Sequence, residues 1–229
     1  VDLIRLSQTL QLAALTRHAQ LYWIVVEDRD GCSQRVRDVL DASGLFYAHH
    51  AIPTPKVGAP HKGVEQRNLA LRIVQEQVGA GGIVYFCDDD NAYDVDLFTE
   101  LPYTERVSVF GVGFAGKRVY ERCSVDPATG LVQGFVSEIP QRSFAIDMAG
   151  FCFSTYVLVK NQPRFSHKMK QYHLEPLFLE QLANNANDLE PLAANCTRML
   201  AWHVRTQVKS KQAVTGEDEA TYNLLKEYV

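Results

Sequence analysis

The chain lacks any apolar run approaching the ~18 residues that a membrane-spanning helix requires. Its opening stretch, VDLIRLSQTL, lacks the basic, apolar and small-residue order of a secretory leader. A secretory destination would place the targeting segment outside these residues. Basic excess is also absent: 23 Lys and Arg stand against 27 Asp and Glu, a formal net charge of -4. That balance argues against a nucleic-acid backbone as partner and leaves an anionic ligand to be held by a local cluster. The five cysteines, Cys32, Cys87, Cys123, Cys152 and Cys196, include no CxxC pair, which argues against a zinc ribbon and permits at most two disulfides. There is no internal repeat and no low-complexity tract.

What is present reads as one globular domain, or one domain with a smaller lobe. At 229 residues and 46% hydrophobic composition, the chain can bury roughly 70% of its unfolded surface. Leu3, Leu6, Leu10 and Ala13 recur at helical spacing, and LYWIVVED then forms a β-branched and aromatic run ending in two acids. A second helical pattern around Val36, Val39 and Leu40 closes at Gly44, ahead of the strand-like LFYAHHAI. A third helical face, from Val64 through Leu71 and Val74 to Val78, leads through glycines into IVYFC. Strand and helix alternating in this way predict a parallel, doubly wound α/β sheet, with ligands at the carboxyl ends of its strands. After this, RVSVFGVG, KRVYERCSVD, the turn DPATG and LVQGFVSEI predict shorter, hairpin-linked strands and a mixed sheet. HLEPLFLEQL is helical, and the charged tail beyond Thr206 reads as an arm.

The chemistry concentrates where apolar runs meet charge. IVYFC runs straight into Asp88, Asp89 and Asp90, and consecutive carboxylates repel unless a cation neutralises them. A hard divalent ion with oxygen ligands answers that repulsion and can also hold a diphosphate. A solvated acidic loop is the plain alternative. An EF-hand is excluded, because Tyr93 stands where the loop needs glycine. Lys62 and Arg67 flank a helix start suited to an anion, or simply decorate a helix terminus. His203 and Arg205, two apart on an extended segment, share one side and reach a common phosphate, or are surface decoration. Glu175 opens a helix among apolar neighbours that would raise its pKa and fit it as a base; the alternative is an acid favoured by the helix dipole. Asp147, after Arg142, sits in DMAG, which also reads as a structural turn. Asn195 lies in an NCT glycosylation sequon.

The ordered words VED, HKGVEQRN, YFCDDDN, DMAGF, HLE, DLEP, AANCTR and WHVRT resemble those of the β-1,3-glucuronyltransferases over roughly residues 1–207. That resemblance implies a GT-A type fold: a Rossmann-like, mostly parallel sheet in a UDP-binding half (1–91), a mixed-sheet acceptor and catalytic half (92–207), and a C-terminal arm (208–229). It implies an inverting enzyme that moves glucuronic acid from UDP-glucuronate to the 3-hydroxyl of a galactose-terminated glycan, such as the Gal-Gal-Xyl linkage of proteoglycans. By the same carry-over, Asp28 contacts uracil, Lys62, Arg67, Asp88 and Asp89 serve the rest of the nucleoside side, and His203 and Arg205 hold the diphosphate. Asp90 ligates Mn2+, Glu175 is the base, and Asn91, Glu121, Arg142 and Asp147 meet the acceptor. The resemblance further implies a homodimer in the Golgi lumen, with a membrane anchor outside this chain. Three departures stand out: the family's TPTY-like strand has no counterpart here, Lys62 replaces an arginine, and Glu138 replaces a tryptophan. The first and the last of these motivate the alternative of a catalytically impaired homologue that binds nucleotide or glycan or acts as a scaffold.

Overall fold

The computed structural model describes residues 1–78, 81–115, 119–139, 141–169 and 173–204; Arg205 and the arm 208–229 lie outside the described residues. The first helix, α1 (Asp2–Arg17), buries Leu6, Leu10 and Ala13 and stops at His18, which adopts a left-handed conformation. Strand β1 (Tyr22–Glu27) pairs in parallel with β2 (Phe46–Ala51) from end to end, Tyr22 opposite Phe46 and Glu27 opposite Ala51. Between them runs α2 (Gln34–Ser43), begun by a Ser33 Oγ that accepts from the Val36 N–H and ended at Gly44. The glycine end is the one the sequence signals.

Helix α3 (Val64–Gln77) leads to β3 (Ile83–Tyr85) and the acidic turn, after which come β4 (Ala92–Tyr93) and the short α4 (Leu97–Glu100). β5 (Val107–Val109), β6 (Gly111–Gly113), β7 (Tyr120–Val125) and β8 (Val132–Val136) follow, the last two forming the predicted hairpin. The remainder is β9 (Phe151–Ser154), α5 (Thr155–Asn161), α6 (Leu174–Leu179), β10 (Glu190–Pro191) and β11 (Met199–Trp202). The expected α/β architecture is present, arranged as three sheets: β1-β2, β10-β5-β9-β3, and β4-β11-β6-β7-β8.

One feature departs from a simple continuous winding. β3 does not extend the β1-β2 sheet; it pairs antiparallel with β9 instead, Ile83 opposite Ser154. Among the described residues, β1 has β2 as its one strand neighbour and β3 has β9, so each keeps an open edge. A slot of about 450 Å³ lies between them, lined by apolar side chains that include Trp23, Ile24, Leu71, Val84 and Phe86. No helix among the described residues is long and apolar enough to cross a membrane.

Two cores carry the assembly. One joins α1, β1 and β4 with Phe110, Leu200 and Ala201. The other centres on an aromatic cluster in which Phe165 stacks on Phe178 with ring centres 4.3 Å apart, while Phe86 contacts Phe151, Phe153, Phe165 and Phe178. Burying rings of this size is the largest favourable contribution available to the region. It also fixes α6, which carries Phe178, against the loop that carries Phe165.

A disulfide joins Cys123 on β7 to Cys196, across 73 residues of sequence. Residues Ala193 to Cys196 all have positive φ, between 51° and 62°, a left-handed turn that costs side-chain-bearing residues about 1–2 kcal/mol each. The disulfide, the Cys196 N–H donating to Leu192 O and the Arg198 N–H donating to Ala193 O hold that turn in place. For a loop of this length, chain entropy assigns the crosslink about 4 kcal/mol. Cys123→Ala is therefore expected to lower the Tm by roughly 8–16 °C in thermal denaturation followed by circular dichroism. A Tm unchanged by the substitution, or by reductant, would remove the disulfide from the account of stability.

Candidate active site

The acidic turn is fixed through its backbone. The Tyr93 hydroxyl donates to the Asp88 carbonyl at 2.9 Å, and the Asn91 N–H donates to the same oxygen at 3.3 Å. From α1, the Arg5 guanidinium donates to the carbonyls of Asp90 at 3.1 Å and Asn91 at 3.3 Å. None of these bonds spends a side-chain carboxylate. Asp89 is exposed; partial desolvation and then the neighbouring charges of Asp90, Asp2 and Asp88 push its carboxyl above the usual range.

Arg67 reaches the turn from α3, with Nη2 donating to Asp88 Oδ1 at 3.1 Å and its guanidinium 5.9 Å from the centre of the Phe165 ring. Its Nη1 donates to the Lys62 carbonyl at 3.4 Å. Gly63 makes this fold-back possible: its φ is +78°, and a side chain there would overlap the guanidinium. Lys62 itself is exposed. One residue before Arg67, Gln66 donates to Ile52 O at 2.7 Å and to Thr54 Oγ1 at 3.4 Å. Thr54 in turn donates through its N–H and hydroxyl to both oxygens of Asp28, at 2.6 and 2.8 Å. A continuous chain of contacts thus links Asp28 to Asp88 along the strand ends.

The second group of predicted residues assembles around β11. This strand pairs antiparallel with β4, Trp202 opposite Ala92, which brings His203 level with Asn91. It also pairs in parallel with β6, and the His203 N–H continues the ladder to Gly113 O at 2.9 Å. A side chain at Gly113 would overlap the Trp202 indole, so the two strands approach this closely only through glycine. His203 Nδ1 lies 3.6 Å from Asp147 Oδ2. Burial works to raise the Asp147 carboxyl, but His203, the Ala149 N–H and Arg142 outweigh it and hold the pKa below the usual carboxylate range. Arg142 Nη2 lies 3.6 Å from Glu121 Oε1, and the Ser137 hydroxyl bridges them, donating to Glu121 and accepting from Arg142 at 3.2 Å. Both ends of this pair are buried. Asn91 is 2% exposed, and neither its amide nitrogen nor its amide oxygen has a hydrogen-bond partner. An orphaned buried amide is costly, and a ligand that pairs with it repays the cost on binding.

Glu175 stands at the start of α6, half-buried. Burial raises its pKa, its own backbone N–H opposes that, Asp147 raises it further, and Arg142 and Arg67 lower it; the net shift is upward. Glu175 is thus within electrostatic reach of Arg67 on the acidic-turn side and of Arg142 and Asp147 on the other. The structure therefore gathers the predicted residues into two linked groups, Asp28, Arg67 and Asp88–Asp90 on one side and Asn91, Glu121, Arg142, Asp147 and His203 on the other, with Glu175 sensing both. Arg205 lies outside the described residues. Asn195 is exposed, apart from both groups, on the left-handed turn. Arg5, Thr54, Tyr93 and Ser137 are residues that sequence reasoning missed; each acts through a contact between distant segments, for which no local spacing gives a signal.

The family model of glycosyltransferase family 43 matches residues 6–207. The chain belongs to glycosyltransferase family 43. Within curated proteins it is 40% identical to human galactosylgalactosylxylosylprotein 3-beta-glucuronosyltransferase 3, covering 90% of this chain and 66% of that protein. It is equally 40% identical to rat galactosylgalactosylxylosylprotein 3-beta-glucuronosyltransferase 1, over 88% of this chain and 66% of that protein. The chain thus spans just under two thirds of the length of these family 43 relatives. Among solved structures, the crystal structure of S. aureus TarS 1-349 superposes with a TM-score of 0.53 at 18% identity, covering 86% of this chain and 57% of that one. That likeness concerns fold alone, and it is of the GT-A kind expected.

The upward shift of Glu175 has a thermodynamic sign. Its folded pKa exceeds its unfolded one, so the native state holds the extra proton and stability rises as pH falls through the interval between the two values. Glu175→Gln should raise the Tm at pH 7, and the gain should vanish below about pH 4, where both states are protonated. Equal melting temperatures at pH 7 would show that Glu175 is not held in a desolvated site.

Proposed function

We propose that this family 43 chain carries an inverting glucuronosyltransferase that moves glucuronic acid from UDP-glucuronate to the 3-hydroxyl of a terminal galactose, in the Gal-Gal-Xyl linkage region. The observation that carries this reading is the position of Glu175, raised in pKa and within electrostatic reach of both Arg67 beside the acidic turn and the Arg142–Asp147 group. The names of the 40% identical relatives support the reaction class.

In this reading the UDP-binding half is 1–91 and the acceptor half 92–207. Asp28 and Thr54 meet the uracil end, while Lys62, Arg67, Asp88 and Asp89 serve the rest of the nucleoside side. His203, with Arg205, faces the diphosphate. The donors at Asp88–Asp90 are all oxygen, as a hard cation such as Mn2+ requires, and Asp90 would hold it. Bound there, such an ion supplies positive charge that offsets the negative charge developing on a departing diphosphate. The chain's own residues do the rest. Asn91, Glu121, Arg142 and Asp147 orient the acceptor sugar, with the orphaned Asn91 amide available to a hydroxyl. Glu175 takes the proton from the attacking hydroxyl, which a pKa lifted toward the working pH makes more efficient. Attack from the face opposite the nucleotide inverts the anomeric centre. Asn195 carries a glycan, the protein pairs as a homodimer, and its setting is the Golgi lumen with the anchor outside these residues.

A second reading, a homologue that binds nucleotide or glycan or acts as a scaffold without turnover, is favoured by the open edges of β1 and β3. The enzyme reading instead has those edges take up an additional strand, closing the two sheets into one. The two readings separate in a direct assay of UDP release from UDP-glucuronate with a galactosyl-galactose acceptor and Mn2+. The enzyme reading expects turnover that falls by about 100- to 10,000-fold in Glu175→Gln and loses its metal dependence in Asp90→Asn. Absence of turnover by the full-length protein across galactosyl acceptors, together with calorimetric binding of UDP that ignores metal, would favour the scaffold.

A further inference from the structure

At the other side of the β1-β2 sheet end lies a group that the proposed reaction does not use. Among the described residues, Glu27, Cys32 and His49 form the one set of three His, Cys or acidic side chains whose ligand atoms all lie within 4.8 Å of one another. They come from three places: Glu27 ends β1, Cys32 sits in the following loop, and His49 lies near the end of β2, two residues from its last pair. We propose that this group is a binding site for a borderline-soft divalent cation, Zn2+ in the first instance, distinct from the all-oxygen acidic turn.

Several features make it a built site and not a chance meeting of surface groups. The His49 side chain is 3% exposed, and its Nδ1 is buried with no hydrogen-bond partner; its Nε2 faces Glu27 Oε1 at 2.7 Å. The carboxylate is held from behind, by the Ser33 N–H at 2.7 Å to Oε1 and the Ser33 hydroxyl at 2.8 Å to Oε2. Hydrogen bonds of that kind orient a metal-ligating carboxylate and fix its ionised form. Burial opposes ionisation of Glu27, but the Ser33 and His49 bonds prevail and keep its pKa below the usual range. The Cys32 Sγ donates weakly to the His49 carbonyl at 3.5 Å, so the thiol already lies over the ring's own strand.

The donor chemistry selects the ion. Thiolate, imidazole and carboxylate together suit Zn2+, and three protein ligands leave a fourth position for water. Zn–S near 2.3 Å and Zn–N and Zn–O near 2.0–2.2 Å require ligand atoms about 3.3–3.7 Å apart, so the His49 Nε2–Glu27 Oε1 pair, now at 2.7 Å, must open as the cation enters, with the thiol already within 4.8 Å of both. Cys32 is exposed, in the loop between β1 and α2. Arg29 stands 3.8 Å from Glu27 Oε2 and is 55% exposed, able to turn toward solvent as the cation enters.

The thiol also supplies a specific signal. Of the other free cysteines, Cys152 is buried and Cys87 half-buried, whereas Cys32 is exposed. Titration of the full chain with Co2+ in place of Zn2+ should give one equivalent of a near-ultraviolet thiolate-to-cobalt charge-transfer band. Zn2+ should abolish that band by competition. Cys32→Ser, on an exposed position that leaves the fold intact, should eliminate the band and weaken Zn2+ binding in competition calorimetry by at least about 10-fold. Asp90→Asn should leave both unchanged. No thiolate band in the unmodified protein, Zn2+ bound as tightly by Cys32→Ser, or loss of the band in Asp90→Asn would each overturn the proposal. None of these readouts depends on transferase activity.

Discussion

The site rests on a division of labour within four residues. Three consecutive carboxylates can share one strand end only if something other than their own side chains holds the chain there, because each carboxylate destabilises the next. The structure meets this by gripping the backbone: Tyr93 takes the Asp88 carbonyl, and Arg5, from the first helix, takes those of Asp90 and Asn91. Arg67 occupies a single oxygen of Asp88. The turn is thus held rigid while most of its negative charge stays available. A guanidinium on the main-chain side also tempers the repulsion that the turn concentrates. The rest of the site takes its register from here, since β4 begins immediately after Asn91 and β11 is laid against β4.

That register explains how words far apart in sequence meet. β11 is clasped between β4 and β6, with Gly113 making room for Trp202. His203 leaves the end of the strand beside Asn91 and close to Asp147, which is itself set by its cap on the Ala149 N–H at 3.0 Å. Below, the stack of Phe165 on Phe178 joins the platform under Arg67 to the helix that carries Glu175. The surroundings of Arg67 and of Glu175 are therefore coupled through one aromatic contact, and apolar packing sets the distances between their charges.

Much of this was legible from local pattern. Elements with strong periodicity or a clear stop, such as α2 closing at Gly44 or the β7-β8 hairpin around its turn, were readable because their signals are short-range. The candidate residues were readable as types, since clustered acids, a His-x-Arg pair and an acid at a helix start each imply a chemistry. What single-sequence reading missed were the supports. Arg5 looks like any basic residue on an amphipathic helix until the turn it grips is folded beneath it, 85 residues away. Ser137, bridging a buried Glu–Arg pair, and Thr54, occupying both oxygens of Asp28, are likewise visible only once distant strands are aligned. Pairing of β3 with β9 was also hidden, because a short apolar strand carries no record of its partner's direction. The Glu27–Cys32–His49 group escaped for the same reason: its members are ordinary singly and meet only through the parallel register of β1 and β2.

The slot between β1 and β3 has a consequence of a different kind. Its two walls present rows of main-chain donors and acceptors about an apolar cleft, and such edges accept a strand from whichever source comes first. Where an intramolecular strand arrives, its local concentration wins and the sheet seals. Where it does not, a neighbouring molecule becomes the next best supplier, and the same groove that would unify one subunit becomes a nucleus for disordered association, growing steeply with protein concentration.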